Sequence, residues 1–553
     1  MIRTLVLLLF FNLSYSQNYD LNSSFLEKYI RYNNLNGSEK IDYTFTIRPL
    51  NEVNKIYSSS KNLFKNKKET IRIELLPIYF GSEYNSIIPY NRNNGSLIPN
   101  RGIQYILSPG FFIKTGPLEI KIQPEYVYSE NKDFQGFWEN HDPLVWARRY
   151  LLWNSIDMPE KHGSKSHSKF LSGQSSIKLK WKNISLGLSS ENLWWGPSIR
   201  NSIMMSNHAQ GFPHISLNSI KPHKTKIGNF EWQLISGKLE QSGFLPSNSD
   251  YEYQGTKLFV PKSNQNGNRK DWRYLQALIV TYSPSFIDGL SIGFIRWAQM
   301  YSELVKGEMW WFEGKTSYFP VFNNLFRKND RYVDYEEQIN QAAGIFLRWV
   351  WKDAKAEIYS EFHHNDSKQN FRDLILDSDH SRAATLGLMK IFSINNKEIL
   401  FNWEWTQMEQ NASRIVRNAS SWYRHRYVRD GYTNKGEVLG SSIGPGSNSH
   451  YFSLSKLDKK NYYGIALELV EHDNDFYYNA FAVTKDFRRY WKDFNFQLNY
   501  ERKIKNIWIS TNFIFSKNLN YKWGLEDDAA SPYYRPGIDI DNFHSTIKLR
   551  YSL

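Results

Sequence analysis

The chain has 553 residues and a formal net charge of +14, with no Cys but 19 Trp, 36 Tyr and 35 Phe. The lack of cysteine excludes a disulfide framework, a thiolate metal site and a cysteine nucleophile. The positive balance favours anionic partners, and a mean hydropathy of −0.59 leaves no stretch approaching the about 20 apolar residues of a spanning helix.

The first residues read as a secretory leader. Arg3 is the positive start, Leu5 to Phe11 the short apolar run, and Ser14-Tyr15-Ser16 sets small residues where cleavage is read, so the expected cut falls before Gln17. The run is too short for an anchor, and no Cys follows it for lipid attachment. In an exported chain the anionic partners are acidic glycan or phosphorylated lipid rather than nucleic acid. Residues 17–553 show no linker and no fixed-period repeat, so a single large unit is expected instead of a string of domains. Within it, Ser24 and Glu27 fit a capping box that opens a short helix.

The aromatic fraction of 16% fits a membrane β-barrel better than a soluble domain. In a barrel alternate residues face lipid, the others stay polar, and aromatics form girdles at the two interfaces. The clearest hairpin is Ile177 to Leu188. Ile177, Leu179 and Trp181 alternate with Lys178, Lys180 and Lys182, and after a turn at Lys182-Asn183 the pattern resumes at Ile184, Leu186 and Leu188. The connections that follow, at Asn183, 196–227, 241–270 and 283–289, run short, long, long, short. Barrel connections must alternate sides, so either a long segment folds inward as a plug from the short-turn side or a strand is hidden, with Lys257 to Val260 the candidate. Glu357 to Phe362 and Ile399 to Trp405 read as further strands. At the C-terminus Phe494, Phe496, Leu498 and Tyr500 alternate with polar residues, as do Ile507 to Phe515 and Ile547 to Leu553. The last strand is expected to reach the final residue and to serve as an assembly signal, with Leu in place of the usual Phe.

Four stretches resemble the Wzi family of capsule-assembly proteins. They are ENLWWGPSIRNSIMMSNHAQGFPHISLN (191–218), HHNDSKQNFRDLILDSDHSRAATLGL (363–388), the region from Trp405 to Gly446 with SSWYRHRYVRDGYTNKGEVLGSSIGPG, and LLPIYFGSEYNSIIPYNRNNGSLIPNRGIQ (75–104). The resemblance implies a transmembrane antiparallel barrel of about 18 strands with small helical and loop plug elements. It implies an outer-membrane protein with lectin-like attachment of capsular polysaccharide and no cofactor. A porin-like diffusion channel, with lysines lining its lumen, and an envelope scaffold remain the alternatives. Acidic polysaccharide, lipopolysaccharide and membrane lipid are the expected partners of a monomer.

Two segments carry the candidate glycan contacts. Asn192, Trp194 and Trp195, with Arg200 downstream, offer indole faces for pyranose rings and an amide for hydroxyls; the alternative is a place in the interfacial girdle or in the plug. Trp422, Arg424, Arg426 and Arg429 interleave aromatic and guanidinium groups suited to carboxylate or phosphate, or else pair with lumen carboxylates such as Glu404. Gly444-Pro445-Gly446 reads as a rigid loop. Asp366, Arg372, Asp373, His380, Ser381 and Arg382 read as a network bracing plug or loop against the wall. An enzyme is not expected: His380-Ser381 lacks a nucleophile-elbow context, and His363-His364 with Glu361 and Asp366 lacks the helical spacing of a zinc site.

Overall fold

The computed structural model describes residues 24–38, 43–50, 60–67, 70–262, 271–305, 318–322, 338–365, 371–395, 397–411, 414, 419–457, 461–482, 490–526 and 536–553. The leader, residues 1–16, and its cut at Gln17 lie outside them, as does Asp366.

Among the described residues, 18 antiparallel strands close into one barrel. They begin with β1 Ile71–Asn85, β2 Gly102–Thr115, β3 in two pieces (Leu118–Ile122 and Glu125–Ser129), β4 in two pieces (His167–Leu171 and Ser176–Trp181), β5 Ile184–Ser189 and β6 His214–Ser219. The wall continues with β7 Gly228–Leu239, β8 Arg273–Pro284, β9 Leu290–Tyr301, β10 Asn340–Trp351, β11 Ala356–Asn365 and β12 Arg382–Ile394. It ends with β13 Lys397–Gln407, β14 Asn448–Leu457, β15 Asn461–Glu471, β16 Lys492–Ile504, β17 Ile507–Leu519 and β18 Ile540–Tyr551. Closure pairs β18 with β1, from Tyr551 opposite Ile78 to His544 opposite Asn85. A cylinder leaves no open edge, the condition for a sheet in hydrocarbon. The last strand stops at Tyr551, and Ser552 N–H donates to Asn506 O at 2.8 Å, so the final two residues stand past the sheet.

The alternation does what the pattern requires. Ile177, Leu179, Trp181, Leu186 and Leu188 point outward, as do Phe494, Phe496, Phe513 and Phe515. Connections such as 116–117, 182–183 and 505–506 are short at the end where β1 starts and β18 stops, and 130–166 and 240–272 are long at the other. In membrane barrels the short turns face the periplasm and the long loops the exterior. The apparent breach of alternation has a simple cause: His214–Ser219 is itself a wall strand, paired with β5 and β7. The suspected strand is not one, because Thr256–Lys257 forms only a small exterior hairpin with Glu252–Tyr253. The inward-folding connection is therefore 190–213, which enters from the long-loop side.

Three stretches besides 190–213 fill the lumen. Helix α1 (Ser24–Leu35) packs Tyr32 and Leu35 against Tyr359, Met389 and Leu400 of the wall. Its Arg31 pairs with Glu357 at 2.5 Å and donates to Pro197 O at 2.9 Å. Ile47–Arg48 forms a two-residue sheet with Trp194–Trp195, and Thr44 N–H donates to Glu231 of β7 at 2.9 Å. The segment 419–447 descends from outside: Tyr423 and Tyr432 donate to Ile203 O and Met204 O, each at 2.8 Å. Tyr432 stacks on Trp297 of β9 at 3.9 Å between ring centroids.

Wall carboxyls clamp the irregular backbone. Glu404 of β13 accepts the N–H groups of Ile199 (2.8 Å), Arg200 (3.1 Å) and Asn201 (2.7 Å), and also the Tyr359 hydroxyl. Glu361 of β11 accepts Ser198 N–H at 3.1 Å. A Cβ at Gly196, where φ is +98, would lie 2.4 Å from that carboxyl, so only glycine passes here.

Leaving each buried donor unpaired costs about 1–3 kcal/mol. Glu404→Ala should therefore loosen the 190–213 segment by about 3 kcal/mol or more, seen as bursts of single-channel current in a planar bilayer. Glu404→Gln, which keeps an acceptor, should show far fewer. Identical silent traces from wild type and Glu404→Ala would remove Glu404 as the clamp.

Candidate functional site

The first group of sequence candidates lies inside the barrel. Asn192 is buried, donating to Ala209 O and accepting from Gln174, both at 2.8 Å. Trp195 has no exposed surface and donates through its indole to Gln233 at 2.9 Å. Trp194 donates to Ser198 O at 3.1 Å beneath the Arg48 guanidinium, 4.9 Å from its ring. Arg200 makes a two-pronged contact with Glu468, both bonds at 2.9 Å, and a third bond to Tyr90 at 2.6 Å. Trp422 is fully buried near His363. Neither Trp194 nor Trp195 belongs to a girdle, because the strand ends at Ser189 and both rings enter the lumen. Trp195 and Trp422 have no exposed surface and Trp194 about 6%, so the structure sets all three inside the barrel, among the plug, with no open ring face toward the exterior.

The arginine segment does sit outside, docked on helix α2 (Pro143–Trp153). Asp142 caps the first turn of α2, accepting Leu144 N–H at 2.8 Å, and Pro143 starts the helix, where a missing N–H costs nothing. At the other end, Arg424 donates to Ser155 Oγ and Leu151 O, each at 2.9 Å. Arg429 donates to Asn154 O (3.1 Å), Pro261 O (3.1 Å) and Val260 O (2.6 Å). Cations suit the negative end of a helix. Both arginines thus tie loops together, and Glu404 is not their partner. Arg426 alone of the three is exposed, its guanidinium 5.4 Å over the Tyr427 ring.

Helix α2 is held rigidly. It packs on the short exterior helix Asn474–Phe481, and Arg149 lies among the rings of Phe137, Trp153, Phe476 and Trp523 at 4.9–5.9 Å. Arg149 also pairs with Glu160 at 3.3 Å, and Lys522 pairs with the same carboxyl at 2.6 Å. Burial alone would raise Glu160, but the two cations hold it at about 2. Gly444 and Gly446, both at positive φ, shape the tight loop beside Asp473 and Asp475.

Between the end of α2 and the loop 241–262 opens a cleft of about 440 Å³. Its walls are apolar, from Trp153, Phe244, Leu245 and Phe259, and its floor is polar, from Asp157, Gln241 and Lys262. Asp157 accepts Ser242 N–H at 2.6 Å and Ser242 Oγ at 2.8 Å. Burial, then the neighbouring Asp430, raises the Asp157 carboxyl. The Lys262 Nζ is buried with no hydrogen-bond partner among the described residues. Burial pushes it down to about 7, against the pull of Asp157 and Asp430 and with the repulsion of Arg429 and Arg424. Aromatic walls over a poised cation suit a sugar ring that bears a carboxylate or phosphate. Pattern reading found the arginine segment but missed Lys262, Asp157 and Trp153, which nothing in their local sequence marks.

The residues weighed for other chemistry are engaged elsewhere. Ser198 Oγ bonds to Glu361 instead of His363, and all three are buried. His380 lies 3.8 Å from Asp377, while Arg382 pairs with Asp379 at 3.2 Å and closes the loop's own base. Among the described residues no three His, Asp or Glu side chains converge to hold a metal ion. The cationic inner face is neutralised: Lys178 pairs with Glu191 at 2.6 Å and Lys180 with Glu119 at 2.8 Å, and Lys182 lies exposed on the turn.

Comparison with known proteins completes the picture. The fold is similar to that of Wzi from Escherichia coli, described as an outer-membrane protein involved in group 1 capsule assembly and a carbohydrate-binding β-barrel. The TM-score is 0.56 at 12% identity, covering 97% of this chain and 100% of that one. OccAB2 of Acinetobacter baumannii (9% identity, 86% and 97% of the two chains) and OprD of Pseudomonas aeruginosa (7%, 89% and 95%) each give a TM-score of only 0.39. No curated protein matches the chain in sequence. The family model for the capsule assembly protein Wzi matches residues 113–475, well over half of the chain, and the protein belongs to that family.

Proposed function

We propose that this protein is an outer-membrane barrel that binds acidic capsular or related surface polysaccharide and holds it at the cell exterior without turning it over. The observation that carries this reading is the exterior cleft, where apolar walls meet Lys262, whose Nζ has no hydrogen-bond partner among the described residues, next to the arginine segment that Arg429 ties to Val260 and Pro261 and that leaves Arg426 exposed. The E. coli relative's carbohydrate binding and role in capsule assembly support it. Binding is non-covalent: ring faces pack on Phe244 and Phe259, amides and hydroxyls read sugar hydroxyls, and Arg426 meets carboxylates that the Lys262 ammonium attracts from the cleft floor. Arg424 and Arg429 hold the loops that shape the cleft, and Asn192, Trp194, Trp195, Arg200 and Trp422 support it from below through the plug. The filled lumen favours this reading over a diffusion channel. One chain forms the whole cylinder, consistent with a monomer among lipopolysaccharide and membrane lipid.

Arg426→Ala combined with Lys262→Met should lower retention of a uronic-acid polymer about tenfold at low salt, two charges lost at about 1.4 kcal/mol in total, with most of the difference gone at high salt. Equal retention by variant and wild type would refute the cleft. A pH series adds a sign. The folded Lys262 sits near 7, below its ordinary value, so the ammonium is neutral above that pH and charged below it. Affinity for the polymer should rise about tenfold between about pH 8 and about pH 6. Lys262→Met should flatten the profile; the same slope in that variant would exclude Lys262 as its origin. Export through a cleaved leader belongs to this proposal, and N-terminal sequencing of the mature protein should read from Gln17; a chain still starting at Met1 would contradict it.

A further inference from the structure

The barrel wall has one low point. Strand β5 contains six residues, whereas a tilted strand needs about 9–11 to cross a bilayer. Its top, Ser189, is level with His214 of β6 and Ser176 of β4, and among the described residues β4 continues above it to His167 with no strand paired on that side. On the outer surface beside this step lies an apolar groove of about 620 Å³. Leu188 and Ile215 form one bank, Trp272, Tyr318 and Phe319 the other, and Ser236 lies between them. The far bank is fixed in place, since the Tyr274 hydroxyl donates to Tyr318 O at 2.8 Å and shares a second hydrogen bond with Ser236 Oγ at 3.1 Å.

Cations ring the upper edge. Lys238 and Lys435 share one carboxyl, Glu240, at 2.7 and 2.6 Å, and all three side chains are about 40% exposed. Lys169, exposed on the inner face of β4 above the step and within repulsive reach of Lys435, adds a third positive charge that opens toward the groove only over the low wall, with His167 on the same face. Three lysines against one glutamate leave an uncompensated positive patch directly above a fatty slot. Where the wall is low, the headgroup layer comes down to meet that patch.

We infer that this groove is a binding site for a phosphorylated glycolipid of the outer leaflet, with one acyl chain between Ile215 and Phe319 and a phosphate on Lys238, Lys435 and Lys169. Apolar contact alone selects little here, because a lipid tail leaves equally apolar surroundings to enter the slot. The lysines supply the selection, each anionic contact near the surface adding to it. The site rests on the membrane placement of the barrel and not on the glycan cleft, so either can fail without the other.

Native mass spectrometry of the full-length mature protein in non-ionic detergent tests the site, using a bisphosphorylated lipid A, its dephosphorylated form with the same chains, and phosphatidylglycerol. One copy of the bisphosphorylated lipid should be retained about tenfold more strongly than either of the others. K169Q/K238Q/K435Q should abolish that preference, and Ile215→Trp, which fills the slot and changes no charge, should weaken retention separately. Retention of the dephosphorylated form or of phosphatidylglycerol equal to that of lipid A would overturn the proposal. So would wild-type retention by both variants. Acidic-polymer binding measured on the same preparations should stay unchanged, and it confirms that each variant is folded.

Discussion

A carboxyl on the barrel wall that accepts backbone N–H groups from chain inside the lumen is the contact on which everything else depends. The 196–206 stretch is neither helix nor extended sheet, so its amides have no regular partners, and in a crowded lumen water cannot serve them all. Glu361 and Glu404 do so from two separate strands, and Glu231 on a third serves Thr44 N–H of the 43–50 stretch in the same way. Once that stretch is fixed, its carbonyls at Ile203 and Met204 become docking points for Tyr423 and Tyr432. These in turn set where the arginine segment leaves the lumen and where the exterior cleft forms. Wall, plug and cleft are therefore one connected arrangement, built outward from a few buried acids.

Strands were legible where their two sides meet different surroundings. In Ile177–Leu188 and in Phe494–Phe515 one side meets lipid while the other carries Lys, Asn, Gln and Ser, and period two is plain. Along β7 to β10 the inner side is also apolar, because Ile235, Leu275, Ala277, Ile279, Ile295, Trp297 and Phe346 pack against the plug. Alternation fades when both sides are greasy, and strand reading weakens with it. The β6 strand escaped for the opposite reason. In HISLNS only Ile215 and Leu217 are apolar, and the family-like stretch around it reads as loop.

The site was half legible. Composition marked Trp422 to Arg429 as an aromatic and basic segment, and the exposed Arg426 keeps that character. What composition cannot carry is which end of a bond each group uses. Arg424 and Arg429 look like anion binders in sequence, yet they spend their donors on backbone carbonyls of α2 and the 260–261 turn. The paired Trp beside Asn192 read as a sugar platform, or as girdle residues because girdles sit at strand ends, but the wall strand ends earlier, at Ser189, and both rings lie in the lumen. Lys262 and Asp157 come from connections about a hundred positions apart and meet only in three dimensions.

The 419–447 segment runs without interruption from the cleft to the middle of the barrel. At its outer end Asp157 N–H is bonded to Asp430 O at 2.8 Å and His425 N–H to Ser155 O at 3.0 Å. Deeper down Tyr432 grips Met204, and three residues before it Asn201 hangs on Glu404 at 2.7 Å. A long polymer tugged by flow at the surface would load these bonds in series and deliver its tension to β13, where the sheet's hydrogen bonds on both sides resist in shear. The moorings would then be as strong as the hull.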